Sequence, residues 1–196
     1  SLTYLFGAPA HFHAMLAAPG FQPADVATVE TLAYAGAVMP GALLDRVKAA
    51  FSGALMTNIY GTTEMMNSLY MTDPVGKPAR LRPGFYSDVR IGRIGGTVQE
   101  VCAIGEEGEL LVDADCDAAA LGYLNRPEIT AEKFNDGWYR TGDIMVMLDD
   151  GDVELRGRVD DMIVSGGENI HPEEIETVLM QHPAVRDASA IGVPDD

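Results

Sequence analysis

Positive charge is scarce in this sequence: 13 Lys and Arg stand against 30 Asp and Glu, a formal net charge of −17 over 196 residues. A surface that acidic repels phosphate backbones and anionic headgroups, which argues against general nucleic-acid or membrane binding but not against a nucleotide held in a shaped pocket. Cysteine is scarce too. Cys102 and Cys116 have no metal-ligand spacing and read as reduced, partly buried thiols of a cytoplasmic protein. No apolar run has the length of a bilayer span, and the first residues lack the basic region of a signal peptide. Repeats and low-complexity segments are also missing. Hydrophobic residues, at 47%, and charged residues, at 22%, are present in ordinary measure, enough for a packed core in one or two domains. Ser1 is not Met, the chain opens directly into a strand-like run, and it stops at Asp196 just after another, so it is expected to be an internal fragment.

The chain is organised around Asn58-Ile59-Tyr60-Gly61-Thr62-Thr63-Glu64-Met65-Met66-Asn67-Ser68-Leu69-Tyr70-Met71. Residues 55–60 have the apolar, β-favouring composition of a buried strand. Gly61 is then expected to turn the chain and deliver two hydroxyls, Thr62 and Thr63, and the Glu64 carboxylate to one point. An α/β protein builds a ligand crevice in this way, at the carboxyl ends of its strands. The plainer alternative is a strand-to-turn junction whose hydroxyls cap the next element. Upstream, residues 2–6 read as a strand, Pro9 opens a helix carrying Phe12, Met15 and Leu16, and residues 29–35 read as a second strand. Pro40 opens a second helix carrying Leu43, Leu44, Val47 and Phe51. Strand-helix-strand-helix-strand with these lengths implies parallel strands joined right-handedly. It sets the small strand ends at Gly36 and Gly61 side by side, a slot for a flat group.

Beyond Tyr70 the pattern becomes hairpin-rich and antiparallel, with strands at 89–94, 108–112, 144–148 and 153–156 and a turn at Asp149-Asp150-Gly151-Asp152. Gly122-Tyr123-Leu124-Asn125-Arg126-Pro127 reads as a loop, followed by a short helix over 130–134 capped by Thr130. The tail reads as a strand at 162–164, a Gly166-Gly167 turn, a helix opened by His171-Pro172, and a strand over 185–193.

Four stretches together resemble the adenylate-forming superfamily of acyl- and aryl-CoA ligases, luciferases and peptide-synthetase adenylation domains. They are Tyr60-Gly61-Thr62-Thr63-Glu64, Trp138-Tyr139-Arg140-Thr141-Gly142-Asp143, Gly157-Arg158-Val159-Asp160-Asp161 and Ser165-Gly166-Gly167-Glu168-Asn169-Ile170. The resemblance covers the chain from end to end, and the run from Tyr60 to Met71 is most similar to the 4-chlorobenzoate and benzoate CoA ligase branch. It implies an α/β plus β fold: the end of a parallel α/β subdomain (1–70), an antiparallel β-barrel-like subdomain (71–159), and the hinge and start of a small α+β C-terminal domain (160–196).

The implied activity joins a carboxylate to ATP, with Mg2+, and passes the acyl group to the thiol of CoA. By the same resemblance Thr62 and Thr63 touch phosphate and Glu64 helps to hold Mg2+, so that Thr63 and Glu64 carry the catalysis. Tyr60, Gly61, Asn58 and the Gly36-Ala37 backbone surround the adenine, Asp143 takes the ribose hydroxyls, and Arg158 reaches ribose or phosphate. Ala35, Gly36, Ile59, Gly61, Met66 and Asn67 line the acyl slot, Asp160 is the hinge, and Gly166 and Gly167 approach the CoA channel. The family's phosphate loop and terminal lysine have no counterpart here, since Lys48, Lys77 and Lys133 stand in other contexts, so the chain alone is expected to be inactive. A carrier protein as acceptor of a fatty or amino acid, or a non-catalytic nucleotide-binding module, are the alternatives. Truncation would leave an unpaired sheet edge, and self-association through it is expected.

Overall fold

The computed structural model describes residues 2–85, 88–182, 184–185 and 188–193. Its first third follows the expected alternation: β1 (Tyr4–Gly7), α1 (Pro9–Ala17), a single 3-10 turn (Pro23–Val26), β2 (Thr31–Tyr34), α2 (Gly41–Ala50) and β3 (Leu55–Thr62). The three strands pair in parallel, with Tyr4 opposite Thr31 and Thr31 opposite Leu55. Pro9 suits the first turn of α1, where its missing N–H would have no partner anyway. Leu43, Leu44 and Val47 of α2 close a core with Phe12, Leu32, Tyr34, Met39, Phe51 and Met56. Burying an aliphatic side chain of this size stabilises the fold by about 2 kcal/mol.

β3 does not stop at Gly61, which corrects the expected turn. The strand runs on to Thr62, turns through Thr63, Glu64 and Met65, and returns as β4 (Met66–Thr72), antiparallel, with Thr62 opposite Met66 and a bulge after Tyr60. Gly61 is needed for close approach rather than for conformational freedom: a Cβ there would lie 1.8 Å from the Met66 carbonyl oxygen. The left-handed backbone of the hairpin belongs to Met66, at φ 51°.

The chain then adds β5 (Arg80–Pro83), β6 (Val89–Gly92), β7 (Glu107–Asp113), α3 (Pro127–Lys133), β8 (Phe134–Asn135), β9 (Trp138–Met147) and β10 (Val153–Arg158). All of these strands join one mixed sheet in the order β1-β2-β3-β4-β5-β10-β9-β7-β6, with β8 paired to β9. Its end strands, β1 and β6, have no pairing to each other among the described residues, so the ten-stranded sheet does not close end to end there. A second core, including Leu69, Met71, Leu81, Leu110, Val112, Met145 and Val153, fills its face. The turn at 149–152 forms as expected and joins β9 to β10. Helix α3 starts earlier than expected, and Thr130 lies inside it rather than at its cap.

After Arg158 the chain leaves the sheet. β11 (Ile163–Ser165) and β12 (Glu168–Ile170) make their own two-stranded ribbon, followed by α4 (Pro172–Met180). Residues 188–193 form no strand, and 186–187 of the expected 185–193 strand lie outside the described residues. The ribbon and α4 dock against the sheet through His171, whose Nε2 lies 3.1 Å from Glu107 Oε2.

Gly61→Ala is expected to destabilise the protein by about 3 kcal/mol, read by denaturant unfolding followed at Trp138, because the Met66 backbone cannot move away cheaply. Gly53→Ala, with open space at its Cβ, is the control and should change stability by less than about 1 kcal/mol.

Candidate functional site

Three of the expected residues meet where β3, β9 and β10 run close together. The Tyr60 hydroxyl donates to Asp143 Oδ2, and Arg158 Nη1 donates to Asp143 Oδ1 at 2.6 Å. Register explains the second contact, since Asp143 on β9 stands directly opposite Arg158 on β10. The turn of backbone that presents Asp143 is held on all sides. Gly142, at φ 77°, donates its N–H to Glu109 Oε1 at 3.0 Å and accepts from the Val159 N–H at 2.8 Å. Glu109 is itself buried and paired with Arg140 Nη1 at 2.7 Å. Thr141 Oγ1 accepts from the Asp143 N–H and donates to the Leu110 carbonyl, both at 3.0 Å.

Burial pushes the Asp143 carboxyl above the usual range, and the Tyr60 hydroxyl and Arg158 guanidinium reverse only part of that rise. Burial first, then the Asp143 charge, pushes the Tyr60 phenol up, so it remains a donor. Arg158, expected at the ribose or phosphate, stands exposed at the end of β10. It is engaged with Asp143, so two of the expected nucleotide contacts are held on each other in this conformation.

The hairpin tip holds the second group. Thr62 Oγ1 is buried and makes no hydrogen bond of good geometry, although it lies close enough to Glu64 and Tyr139 to interact with both, Thr63 is exposed, and Glu64 is half-buried. Tyr123 donates its hydroxyl to Glu64 Oε1 at 2.5 Å. Burial would raise the Glu64 carboxyl, but the Tyr123 hydroxyl, with smaller help from Thr62 and Tyr139, leaves it below the ordinary value. Among the described residues no three His, Cys, Asp or Glu gather as a metal cluster. One carboxylate beside a hydroxyl without a well-formed hydrogen bond nevertheless fits Mg2+, which is commonly bound by one or two carboxylates together with substrate phosphates.

The expected acyl-slot residues lie on neighbouring strand ends. Ala35 and Ile59 are half-buried, while Gly36, Ala37, Gly61, Met66 and Asn67 are exposed. Gly36 has φ 88° and nothing within 4 Å of a Cβ, so its place here rests on its backbone angle. Asn58, expected at the nucleotide, is buried on β3 and its Nδ2 donates to the Pro78 carbonyl at 3.4 Å. Asp160 is exposed in the turn after β10. Gly166 and Gly167, at φ 61° and 88°, form the tip of the β11–β12 ribbon, where positive φ at both positions makes the type I′ turn that suits the twist of a two-residue hairpin. Sequence reasoning misses Glu109, Tyr123 and Tyr139. Tyr123 and Tyr139 do sit in recognisable loop and motif stretches, but nothing in a single sequence shows which loop touches Glu64.

The family described as AMP-binding enzyme matches residues 1–124. A 4-chlorobenzoate--CoA ligase from an Arthrobacter species is 44% identical over 194 residues, covering 99% of this chain and 37% of that protein. A feruloyl-CoA synthase from an Amycolatopsis species is 36% identical over 198 residues, covering 99% of this chain and 39% of its own. A crystal structure of the anthranilate CoA ligase AuaEII in complex with anthranoyl-AMP superposes with a TM-score of 0.83 at 29% identity, over 98% of this chain and 36% of that one. The chain thus spans less than two-fifths of the length of these relatives.

Arg158→Gln removes a pairing that exists only while Asp143 is ionised. With its folded pKa raised, Asp143 costs stability as pH rises through that value, and Arg158 offsets the cost only on the alkaline side. Arg158 is about half exposed, so the variant should be less stable by about 1 kcal/mol near neutral pH, the deficit closing as pH falls through the Asp143 titration. Denaturant unfolding at a series of pH values checks this, and a deficit independent of pH contradicts it.

Proposed function

The chain belongs to the AMP-binding enzyme family, and from that premise we propose that it is the central part of an ATP-dependent ligase that adenylates an aromatic carboxylate and transfers it to CoA. The observation that carries this reading is the convergence of Tyr60, Asp143 and Arg158 on the strand that leads directly into the Thr62-Thr63-Glu64 tip. One end of such a site suits a ribose and the other a phosphate chain. Asp143, an acceptor only when ionised, would receive two sugar hydroxyls in place of the Tyr60 and Arg158 donors. Arg158, released from Asp143, would then turn to ribose or phosphate. Thr62 Oγ1, which makes no well-formed hydrogen bond and lies beside Glu64, would turn its hydrogen to a phosphate oxygen.

Attack of the carboxylate on the α-phosphorus forms the acyl-phosphate bond and expels pyrophosphate, so charge grows on the phosphate oxygens. Mg2+, held in part by Glu64, would neutralise that charge when bound. Thr63 would add a hydroxyl donor from the exposed side of the tip. The slot formed by Ala35, Gly36, Ile59, Gly61, Met66 and Asn67 would take the flat ring, and the Gly36-Ala37 backbone would face the adenine opposite Tyr60. The aromatic acids in the names of the relatives support a ring over a fatty chain.

In the second half-reaction the CoA thiolate displaces AMP from the acyl carbon. The ribbon tip at Gly166 and Gly167 would approach the CoA arm after rotation at Asp160. Separation of the ribbon from the ten-stranded sheet supports a joint at that point. In this proposal the three subdivisions are 1–70, 71–159 and 160–196.

The full-length protein, given ATP, Mg2+ and CoA, is expected to form CoA thioesters from benzoates faster than from fatty or amino acids, as read by mass spectrometry. Asp143→Ala should lower kcat/KM for ATP by about a hundredfold. The 196-residue chain by itself should form no acyl-AMP. Absence of any acid-dependent AMP release by the full-length protein would falsify the reading.

A further inference from the structure

The segment from 116 to 134, a loop followed by α3, is given no role in the proposed reaction, yet it holds Glu64 at two points. The Ala120 N–H donates to the Glu64 carbonyl at 2.7 Å, and the Tyr123 hydroxyl donates to Glu64 Oε1 at 2.5 Å. Cys116, Ala119 and Phe134 pack on the second core at its two ends, while Leu121 and Leu124 between them are exposed and anchor nothing. The middle is fixed by Tyr123. The Tyr123 N–H donates to Thr130 Oγ1 at 2.9 Å, and that hydroxyl donates in turn to the Arg126 carbonyl at 3.0 Å. Its ring meets Phe134 edge-on at 6.3 Å, and Phe134 packs on Tyr139 at 4.9 Å. Gly122 permits the approach, because a Cβ there would lie 2.6 Å from Thr130 Cγ2.

A glutamate at a hairpin tip has three rotatable bonds, and among the described residues it belongs to no group of three His, Cys, Asp or Glu that would fix where a cation sits. Binding one carboxylate oxygen to a phenol on a braced ring sets the rotation of the group and hence the direction of the other oxygen. We propose that Tyr123 is a positioning residue that aims the Glu64 carboxylate at the magnesium–phosphate group of the nucleotide, with Thr130 holding Tyr123 in place. This rests on the assignment of Glu64 under the proposed function.

The test uses the full-length protein and follows acyl-AMP formation as a function of Mg2+ at fixed ATP, together with Mn2+ binding to the protein–ATP complex by water proton relaxation. Tyr123→Phe keeps the ring against Phe134 and removes only the hydroxyl. It is expected to raise the Mg2+ half-saturation and the Mn2+ Kd together by about tenfold. At saturating Mg2+ its kcat should return to within a factor of about two of the wild type, with KM for the carboxylate unchanged. Thr130→Val keeps the phenol but cuts its tether and should move both curves in the same direction. Metal curves unmoved in both variants while Glu64→Gln moves them overturn the positioning role alone, whether or not melting temperature falls. Curves unmoved in Glu64→Gln as well overturn the metal assignment and this inference with it.

Discussion

The approach of Gly61 to the Met66 carbonyl is the constraint on which the site depends. It allows β3 to pair in parallel with β2 on one edge and antiparallel with β4 on the other. Strand β3 is therefore the seam between a helix-covered parallel part and an antiparallel part, and it carries Tyr60 and Thr62 across that seam. A Cβ at 61 would force the hairpin apart at the bulge, moving Glu64 and Met66 together. Local geometry, packing and chemistry meet at one missing methyl group.

Net charge and site charge point in opposite directions in this protein. At −17 it repels anions at long range, yet the proposed ligand is a polyanion. The local arrangement resolves the tension. Asp143 is buried and covered by a phenol and a guanidinium, and the nearby Glu109 is neutralised by Arg140. The acids nearest the site are thus engaged with donors, and the acidic excess lies elsewhere, in exposed turns such as 149–150. Short-range donors decide binding in such a place, because salt screens the distant charges while buried contacts are screened little.

Periodicity made the first 60 residues legible. Apolar spacing at 12, 15 and 16 and at 43, 44 and 47 gave α1 and α2, and the crossovers gave the parallel order. The turn at 149–152 was equally plain, because Asp-Gly chemistry is local. Gly61 misled because glycine serves two purposes, positive φ and close approach, and only the partner strand shows which. The strand order of the antiparallel part was illegible for a similar reason: strands are visible one at a time, but order depends on which strands meet. Arg158 and Asp143 both stand out from motifs, while their mutual pairing comes from a register that no single motif contains. Glu109 and Tyr123 act through contacts 33 and 59 residues distant in sequence, beyond the reach of spacing arguments.

The segment after Arg158 is docked with less satisfaction than the sheet it leaves. Gly157 carries no side chain because a Cβ there would lie 2.9 Å from Glu173 Oε2 and 3.3 Å from His171 Nδ1. Those same two atoms are buried with no hydrogen-bond partner. A buried polar atom left unsatisfied costs about 1–3 kcal/mol, so the fit of α4 on β10 is tight in shape and poor in polar pairing. The His171 contact to Glu107, 3.1 Å from Nε2 to Oε2, is the side-chain polar contact seen between this segment and the sheet among the described residues. Close packing then selects one docked position, and unsatisfied polar groups keep that position shallow in free energy. Both properties arise here from the same two side chains facing the same glycine.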